Sequence, residues 1–76
     1  NPFSQSTYIQ IDTPDEGDLQ VDIYGIDGRL VKQLFKGKSI VGNNQFEWTP
    51  ENEINGIYIC RITYAGQNTY LKLLKR

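Results

Sequence analysis

The chain has 76 residues, which limits it to a single domain. Hydrophobic residues make up 38% and the formal net charge is -1, which excludes a disordered tail and argues against a nucleic-acid binder. Histidine is absent and Cys60 is the only cysteine, which excludes Ser–His and Cys–His pairs and an internal disulfide. No stretch approaches the roughly 20 apolar residues of a membrane-spanning helix.

The charges are distributed unevenly along the chain. Six acidic residues and no base precede Arg29, whereas eight bases and three acids lie from Arg29 onward. We expect the two parts to interleave in the fold, so that their charges complement each other. An alternative is a basic C-terminal end that is presented to a partner.

Residues 1–5 are predicted to end a linker, so the chain would be a piece of a longer protein with one domain over residues 6–76. Apolar and polar residues then alternate with a period of two, which predicts strands and no helix. The predicted strands are 6–11, 19–24, 29–36, 45–48, 57–64 and 69–76. Turn residues separate them, with Asp27-Gly28 giving a strong hairpin signal.

Several strands carry further detail. Val31 and Leu34 cannot share a face of a regular strand, so a bulge is expected near Lys32–Gln33. Strand 57–64 is apolar on both faces at its start, which suits a central position in a sheet. Residues 37–44 are expected to form a loop, with at most a brief edge segment. The pattern of short strands and frequent turns is typical of an all-β fold, a small antiparallel immunoglobulin-like β-sandwich of six to seven strands.

The acidic residues between the first two strands are a candidate calcium site. Their spacing does not match the calcium loop D-x-D-x-D-G with its closing Glu, so a solvated turn is the preferred interpretation. The residues are Asp12, Asp15, Glu16 and Asp18. We therefore predict no metal and no cofactor.

The turn that holds Asp27 and Arg29 is a second candidate for chemistry. Catalysis would need an activating neighbour and a cleft, and the sequence indicates neither. We interpret the turn as a hairpin bend in which Asp27 adopts a left-handed conformation or bonds to backbone amides. No catalytic residue is predicted, and the chain is not expected to be an enzyme. Cys60 is expected to be a small core residue.

Aromatic residues suggest an alternative function. A row of exposed rings would bind sugars, as in a carbohydrate-binding module, if several of the tyrosines were coplanar and exposed. Those tyrosines are Tyr8, Tyr24, Tyr64 and Tyr70. Phe46 and Trp48 alternate with polar residues, which places them in a core, and Tyr58 is expected to bond to nearby backbone at a strand corner. A generic immunoglobulin-like or fibronectin-like spacer is a further alternative, although the chain end at Lys75-Arg76 favours a true C-terminus.

Short motifs in a fixed order add a resemblance that spans essentially the whole chain. They are the Asn1-Pro2 pair followed by Phe3, the turn from Tyr24 to Gly28-Arg29, Trp48, the Gly56-Ile57-Tyr58 triplet, and a final apolar strand with Lys72. In this order they resemble the type A C-terminal sorting domain of cargo proteins of the type IX secretion system. The chain departs from the family pattern at Gly25, where Asp or Asn is common, and at Thr49, where an Asp often follows the Trp.

The resemblance implies that the chain is a sorting signal and not an enzyme. A cargo precedes such a domain, crosses the inner membrane by a separate signal, and is taken from the periplasm across the outer membrane by the type IX translocon. A sortase-like peptidase then removes the domain in many members, leaving the cargo at the cell surface or in the medium.

Within this chain, we expect the machinery to read the final strand through Lys72, Lys75 and Arg76, since the strand is terminal and basic. Gly28 and Gly56 are assigned to backbone geometry with positive φ. An exposed edge strand would also allow a homodimer.

Overall fold

The computed structural model describes residues 2–76, so that Asn1 lies outside the described part of the chain. Within residues 2–76 the chain forms seven strands, and no helix is long and apolar enough to cross a membrane. The strands are β1 (Pro2–Phe3), β2 (Thr7–Thr13), β3 (Asp18–Gly25), β4 (Leu30–Lys38), β5 (Gly42–Trp48), β6 (Gly56–Tyr64) and β7 (Gln67–Lys75).

The strands form two sheets that enclose one core. Five strands lie in the order β1-β7-β6-β3-β4, and β2 and β5 form a two-stranded sheet. All neighbouring strands are antiparallel except β1 and β7, which are parallel. This arrangement confirms the predicted all-β sandwich, and it confirms that strand 57–64, now β6, is central.

Alternation along the strands decides which side chains reach the core. On β3, Leu19, Val21 and Ile23 are all buried, as the period of two predicts. The other buried apolar side chains come from β2, β5, β6 and β7. They are Ile9, Trp48, Tyr58, Cys60, Ile62 and Leu73.

Strand β4 contains two irregularities where the sequence predicts one. Val21 pairs with Phe35 and Asp22 with Gln33, so that Leu34 is an extra residue on β4. A second register shift leaves Val31 extra, and the two shifts flank the predicted position at Lys32–Gln33. Both Val31 and Leu34 pack against the core, since the bulges turn two residues of opposite parity toward the same side.

Several strand boundaries differ from the prediction. Pro2–Phe3 pair with β7 and so belong physically to the sandwich, β7 starts at Gln67, and β5 begins at Gly42 instead of residue 45. The early start of β5 has a local cause, because the buried Asn44 side chain holds the preceding turn. Its Oδ1 accepts a bond from the Ile40 N–H at 2.9 Å, and its Nδ2 donates to the Ile40 carbonyl at 3.1 Å.

Within residues 2–76, two ion pairs join the acidic first part of the chain to the basic remainder. Lys38 Nζ lies 2.7 Å from Asp18 Oδ1 at the exposed edge, and Arg61 Nη2 lies 3.5 Å from Asp22 Oδ2, whose side chain is buried. The hydrogen bond from Lys38 lowers the pKa of Asp18, and the bond to Asp18 raises the pKa of Lys38. The two pairs agree with the expectation that the two parts interleave.

Candidate functional site

The strand register brings the sequence motifs from distant parts of the chain to one end of the sandwich. Gly25 pairs with Tyr58, and Gly56 pairs with Lys75. Pro2 pairs with Leu74, next to Lys75 on β7. We call this region the motif end, and it comprises residues 2–3, 24–30, 48–58 and 74–76. Asn1, the first residue of the Asn–Pro pair, lies outside the described residues.

The turn between β3 and β4 is a hairpin loop of three residues, 26–28, closed by the bonded pair Gly25 and Arg29. Gly28 N–H donates to the Gly25 carbonyl at 3.0 Å, and Gly25 N–H donates to the Arg29 carbonyl at 2.9 Å. Gly28 has a φ of +88°, the left-handed conformation that such a loop needs at its last position. The Asp27 carboxylate accepts a bond from Arg29 N–H at 3.1 Å. The turn is therefore a hairpin bend, as predicted, and Asp27 has the backbone-bonding role that was expected of it.

Gly25 is one of the two departures from the family pattern, and the turn explains how it is accommodated. A Cβ atom at this position would lie 2.9 Å from Asp27 Oδ1. Glycine at 25 therefore leaves room for the Asp27 carboxylate to fold back over the turn and reach the Arg29 amide. The local geometry is a closed, hydrogen-bonded loop in spite of the departure.

Three aromatic rings fill the interior of the motif end. Trp48 packs edge-on against Phe3 at a centroid distance of 5.7 Å and against Tyr58 at 5.1 Å. The Tyr58 hydroxyl donates to the Ile54 carbonyl, which confirms the predicted bond to backbone at a strand corner. Burial, with a smaller contribution from Glu53, raises the pKa of Tyr58, so that the hydroxyl stays a donor. Gly56 has a φ of +149°, which confirms the predicted positive φ.

A cleft opens on the surface of the motif end, between the β3–β4 turn and the loop before β6. Its volume is about 580 Å³, and we call it the apolar cleft because four exposed large apolar side chains are among those that line it. Ile26 and Ile54 are 75% and 81% exposed, and Leu30 and Ile57 are also exposed. Sequence reasoning missed this feature. The available signal was an isoleucine inside each of two turn or loop segments, where polar residues are usual.

The basic residues predicted to be read by a partner occupy two positions. Lys75 and Arg76 lie at the motif end, where Lys75 Nζ donates to Asn55 Oδ1 at 2.9 Å and Arg76 N–H donates to the Phe3 carbonyl at 2.8 Å. Lys72 lies further along β7, opposite Ile59, and is exposed. Within residues 2–76 it has no ion pair.

The acidic residues Asp12, Asp15, Glu16 and Asp18 lie toward the other end of the sandwich. Within the described residues, no three carboxylate, thiol or imidazole groups come together as metal ligands would. Asp18 binds Lys38 instead, and the Asp15 carbonyl accepts a bond from the Tyr64 hydroxyl at 2.6 Å. The turn that contains these acidic residues is therefore held in place by an ion pair and a hydrogen bond.

The tyrosines do not form one platform. Tyr8 is exposed on β2 and Tyr70 on β7, which belong to different sheets. Tyr24 lies under the Arg61 guanidinium, which is 5.0 Å from its ring centroid and donates a 2.6 Å bond to its hydroxyl. The coplanar row that a sugar-binding surface requires is not built by these residues.

Comparison with known families separates the remaining alternatives. The family described as the secretion system C-terminal sorting domain matches residues 1–76, the whole chain. The chain belongs to this family. A comparison with curated proteins found no match, and a comparison with solved structures found none either. The chain is thus a C-terminal sorting signal of type IX secretion, which follows a cargo and directs it across the outer membrane to the cell surface or the medium.

Membership of this family matters for the motif end, because the family motifs build that part of the fold. Most motifs from which we identified the sorting domain lie far apart in the sequence, between Pro2 and Tyr58, yet they meet at one end of the fold, whereas Lys72 lies further along β7. Trp48, Tyr58 and Gly56 shape the interior and the strand entry, whereas the turn at Gly28 and the apolar cleft face outward.

Proposed function

We propose that the type IX machinery reads the sorting domain at its motif end, through the apolar cleft and the basic residues of β7. The partner surface would have apolar side chains at its centre and acidic side chains beside them. The domain acts in the folded state in the periplasm and catalyses nothing itself. A sortase-like peptidase removes it after the cargo has crossed the outer membrane.

One observation carries this proposal: four large apolar side chains are exposed around a single cleft in a chain of only 76 residues. Exposed apolar side chains that cluster in this way are typical of surfaces that bind another protein. Their rim includes Asp27, Arg29 and Glu53, so the cleft has an apolar floor and a charged border, as protein interfaces do.

The basic residues support the same partner. Lys75 and Arg76 lie at the motif end, and Lys72 lies nearby on the outward face of β7. In the described residues Lys72 has no carboxylate to neutralise it, which leaves its charge available to an acidic surface.

The test is a sorting assay with the whole domain. Residues 1–76 are fused behind a fluorescent protein that carries an inner-membrane signal, in a bacterium with a working type IX system and in the same strain without the translocon. The cleft variant Ile26→Ser/Ile54→Ser is compared with Ile40→Ser/Val41→Ser, which changes two other exposed apolar side chains away from the motif end. The basic variant Lys72→Gln/Lys75→Gln/Arg76→Gln is compared with Lys32→Gln/Lys36→Gln/Lys38→Gln on β4.

We expect the cleft and basic variants to lower secretion at least about tenfold, because each removes two or three contacts of about 1 kcal/mol, and about 1.4 kcal/mol already corresponds to tenfold. The two control variants should be secreted like the unaltered fusion. Equal secretion of the cleft variant and its control would exclude the cleft as a contact. Periplasmic retention of the folded, unaltered fusion in both strains would contradict sorting by this chain.

A further inference from the structure

Strand β7 leaves an edge of the larger sheet uncovered. Its neighbour β1 has two residues and pairs only with Leu74 and Lys75. The stretch from Gln67 to Leu73 pairs with β6 on one side and with no strand on the other side within residues 2–76. The pairing with β6 runs without a register shift over all nine residues, so this edge is regular.

The direction of the free backbone groups on this edge can be read from β1. Arg76 N–H points toward β1, because it donates to the Phe3 carbonyl. Backbone groups alternate in direction along a regular strand, so Lys72, Tyr70 and Asn68 also direct their N–H and C=O groups away from β6. The edge therefore presents three residues, with six backbone groups, in the spacing that an added strand requires.

Side chains next to this edge are exposed to solvent, as expected for a strand that lacks a neighbour on one side. Leu71 lies opposite Cys60 and so faces the core side, yet it is 38% exposed, whereas Leu73 two residues later is 7% exposed. Tyr70, on the other face, is 60% exposed. An added strand would cover apolar surface on both faces of the sheet.

The other edge of the same sheet is protected differently. Strand β4 is interrupted by two bulges and carries Lys32, Lys36 and Lys38, all exposed, which are devices that prevent strand addition. Strand β7 has Lys72 as the one charge within its open stretch and has no bulge. The contrast indicates that the β7 edge is kept competent for pairing.

We propose that the open edge of β7, from Asn68 to Lys72, receives an extended strand of the secretion machinery by main-chain pairing. This strand carries an apolar side chain that packs on Leu71 and an acidic side chain that meets Lys72. The inference rests on the proposed function, since it specifies how the machinery binds the domain, but it concerns a surface separate from the apolar cleft.

Proline at position 70 tests the pairing directly. Tyr70 N–H does not bond to β6, so Tyr70→Pro removes a free donor from the edge without removing a bond inside the sheet. The matched control is Tyr70→Thr, which removes the ring and keeps the N–H. Asn68→Pro against Asn68→Thr repeats the comparison at a second position. All four fusions are assayed for secretion as above, with folding checked by circular dichroism and thermal unfolding.

We expect each proline variant to be secreted at least about fivefold less than its threonine control, which corresponds to the loss of one main-chain hydrogen bond. Equal secretion of folded proline and threonine variants would overturn strand addition while leaving sorting intact. An equal loss in Tyr70→Pro and Tyr70→Thr would also overturn it, since the ring would then be what the partner reads. A dimer of the unaltered domain that Tyr70→Pro dissociates would identify a second copy as the occupant and would likewise overturn it. If the unaltered fusion is not secreted, sorting itself fails.

Discussion

Gly28 is required at its position by backbone conformation and not by lack of space. Its φ is +88°, and a Cβ atom there would meet nothing within 4 Å. A methyl group would fit, so the cost of a substitution comes from the left-handed conformation alone. The structural role of Gly28 is thus to close the hairpin that carries Asp27, Arg29 and one wall of the apolar cleft.

We expect Gly28→Ala to lower the free energy of unfolding by about 1–2 kcal/mol, because alanine is strained at positive φ. Gly28→Asn should cost clearly less, since asparagine adopts this conformation more readily. Urea unfolding followed by Trp48 fluorescence measures both. If alanine and asparagine were equally tolerated, conformation would not be the reason for glycine.

Cys60 is fully buried, and burial, with a smaller contribution from Asp22, raises the pKa of its thiol from 9.0 to about 12. The unfolded chain releases the proton near pH 9, whereas the folded chain keeps it. The neutral thiol therefore contributes its full stability below pH 9, and this contribution is lost as the pH rises toward 12.

We expect the stability difference between the unaltered domain and Cys60→Ala to shrink as the pH rises from 9 to 12, by up to about 1.4 kcal/mol per pH unit. Tyrosines and lysines titrate in both proteins, so their effects cancel in the difference. Urea unfolding at intervals of pH measures it. A difference that stays constant over this range would mean that Cys60 ionises in the folded state near its ordinary pKa.

Single-residue features of this kind were largely readable from the sequence. The positive φ of Gly28 and Gly56, the Tyr58 bond to backbone and the burial of Cys60 all follow from local patterns. The ion pair of the buried Asp22 with Arg61 was not predicted, because nothing local says that Asp22 on β3 faces Arg61 on β6. That contact depends on strand pairing over 39 positions.

At the scale of elements, β7 is the strand whose two halves differ most. Its end is fixed in the fold, since Leu73 is in the core and Arg76, which follows the strand, bonds to β1, whereas Asn68 to Lys72 are exposed to solvent. Deleting residues 71–76 to test recognition would therefore remove core packing together with the basic residues. Point variants separate the two effects.

We expect Leu73→Ala to cost about 2–4 kcal/mol, enough to unfold much of a domain of this size, because it leaves a cavity in the core. Leu71→Ala should cost less than about 1 kcal/mol, since that side chain is already partly in water. Far-ultraviolet circular dichroism and urea unfolding measure both. Equal costs would mean that the unpaired half of β7 is packed as tightly as the rest.

The elements also show where sequence reading reaches its limit. The number of strands, their period and the bulge region of β4 follow from alternation, since a slip in pattern is visible in the residues themselves. The division into five and two strands, the early start of β5 and the two-residue β1 are not visible in this way. They depend on contacts such as those of Asn44 and Phe3, whose partners lie far along the chain.

At the scale of the whole molecule, the same limit of sequence reading explains why the apolar cleft was not predicted. Each motif is short, and its position in the sequence says little about which other motif it meets. The register of β3, β6 and β7 brings these motifs together at one end, where Ile26 and Ile54 then form one cleft. The sequence predicts the parts of the motif end, but the cleft exists only as a product of the fold.

The segment before β2 gives a test of how the whole molecule is closed. Residues 1–5 were expected to end a linker. Phe3, however, packs on Trp48 of the smaller sheet, and its carbonyl accepts a bond from Arg76, which follows β7 of the larger sheet. This short strand therefore joins both sheets at the motif end. Phe3 is only half-buried, so its loss should cost less than that of a core aromatic residue.

We expect Phe3→Ala to lower stability by about 1–2 kcal/mol and the melting temperature by about 5–15 °C, with a change in Trp48 fluorescence. Gln5→Ala, which changes an exposed side chain of the same segment, should leave the stability and the melting temperature unchanged. Thermal unfolding of the two variants beside the unaltered domain measures the difference. If Phe3→Ala melted at the same temperature as Gln5→Ala, the segment would act as a linker and the motif end would be closed without it.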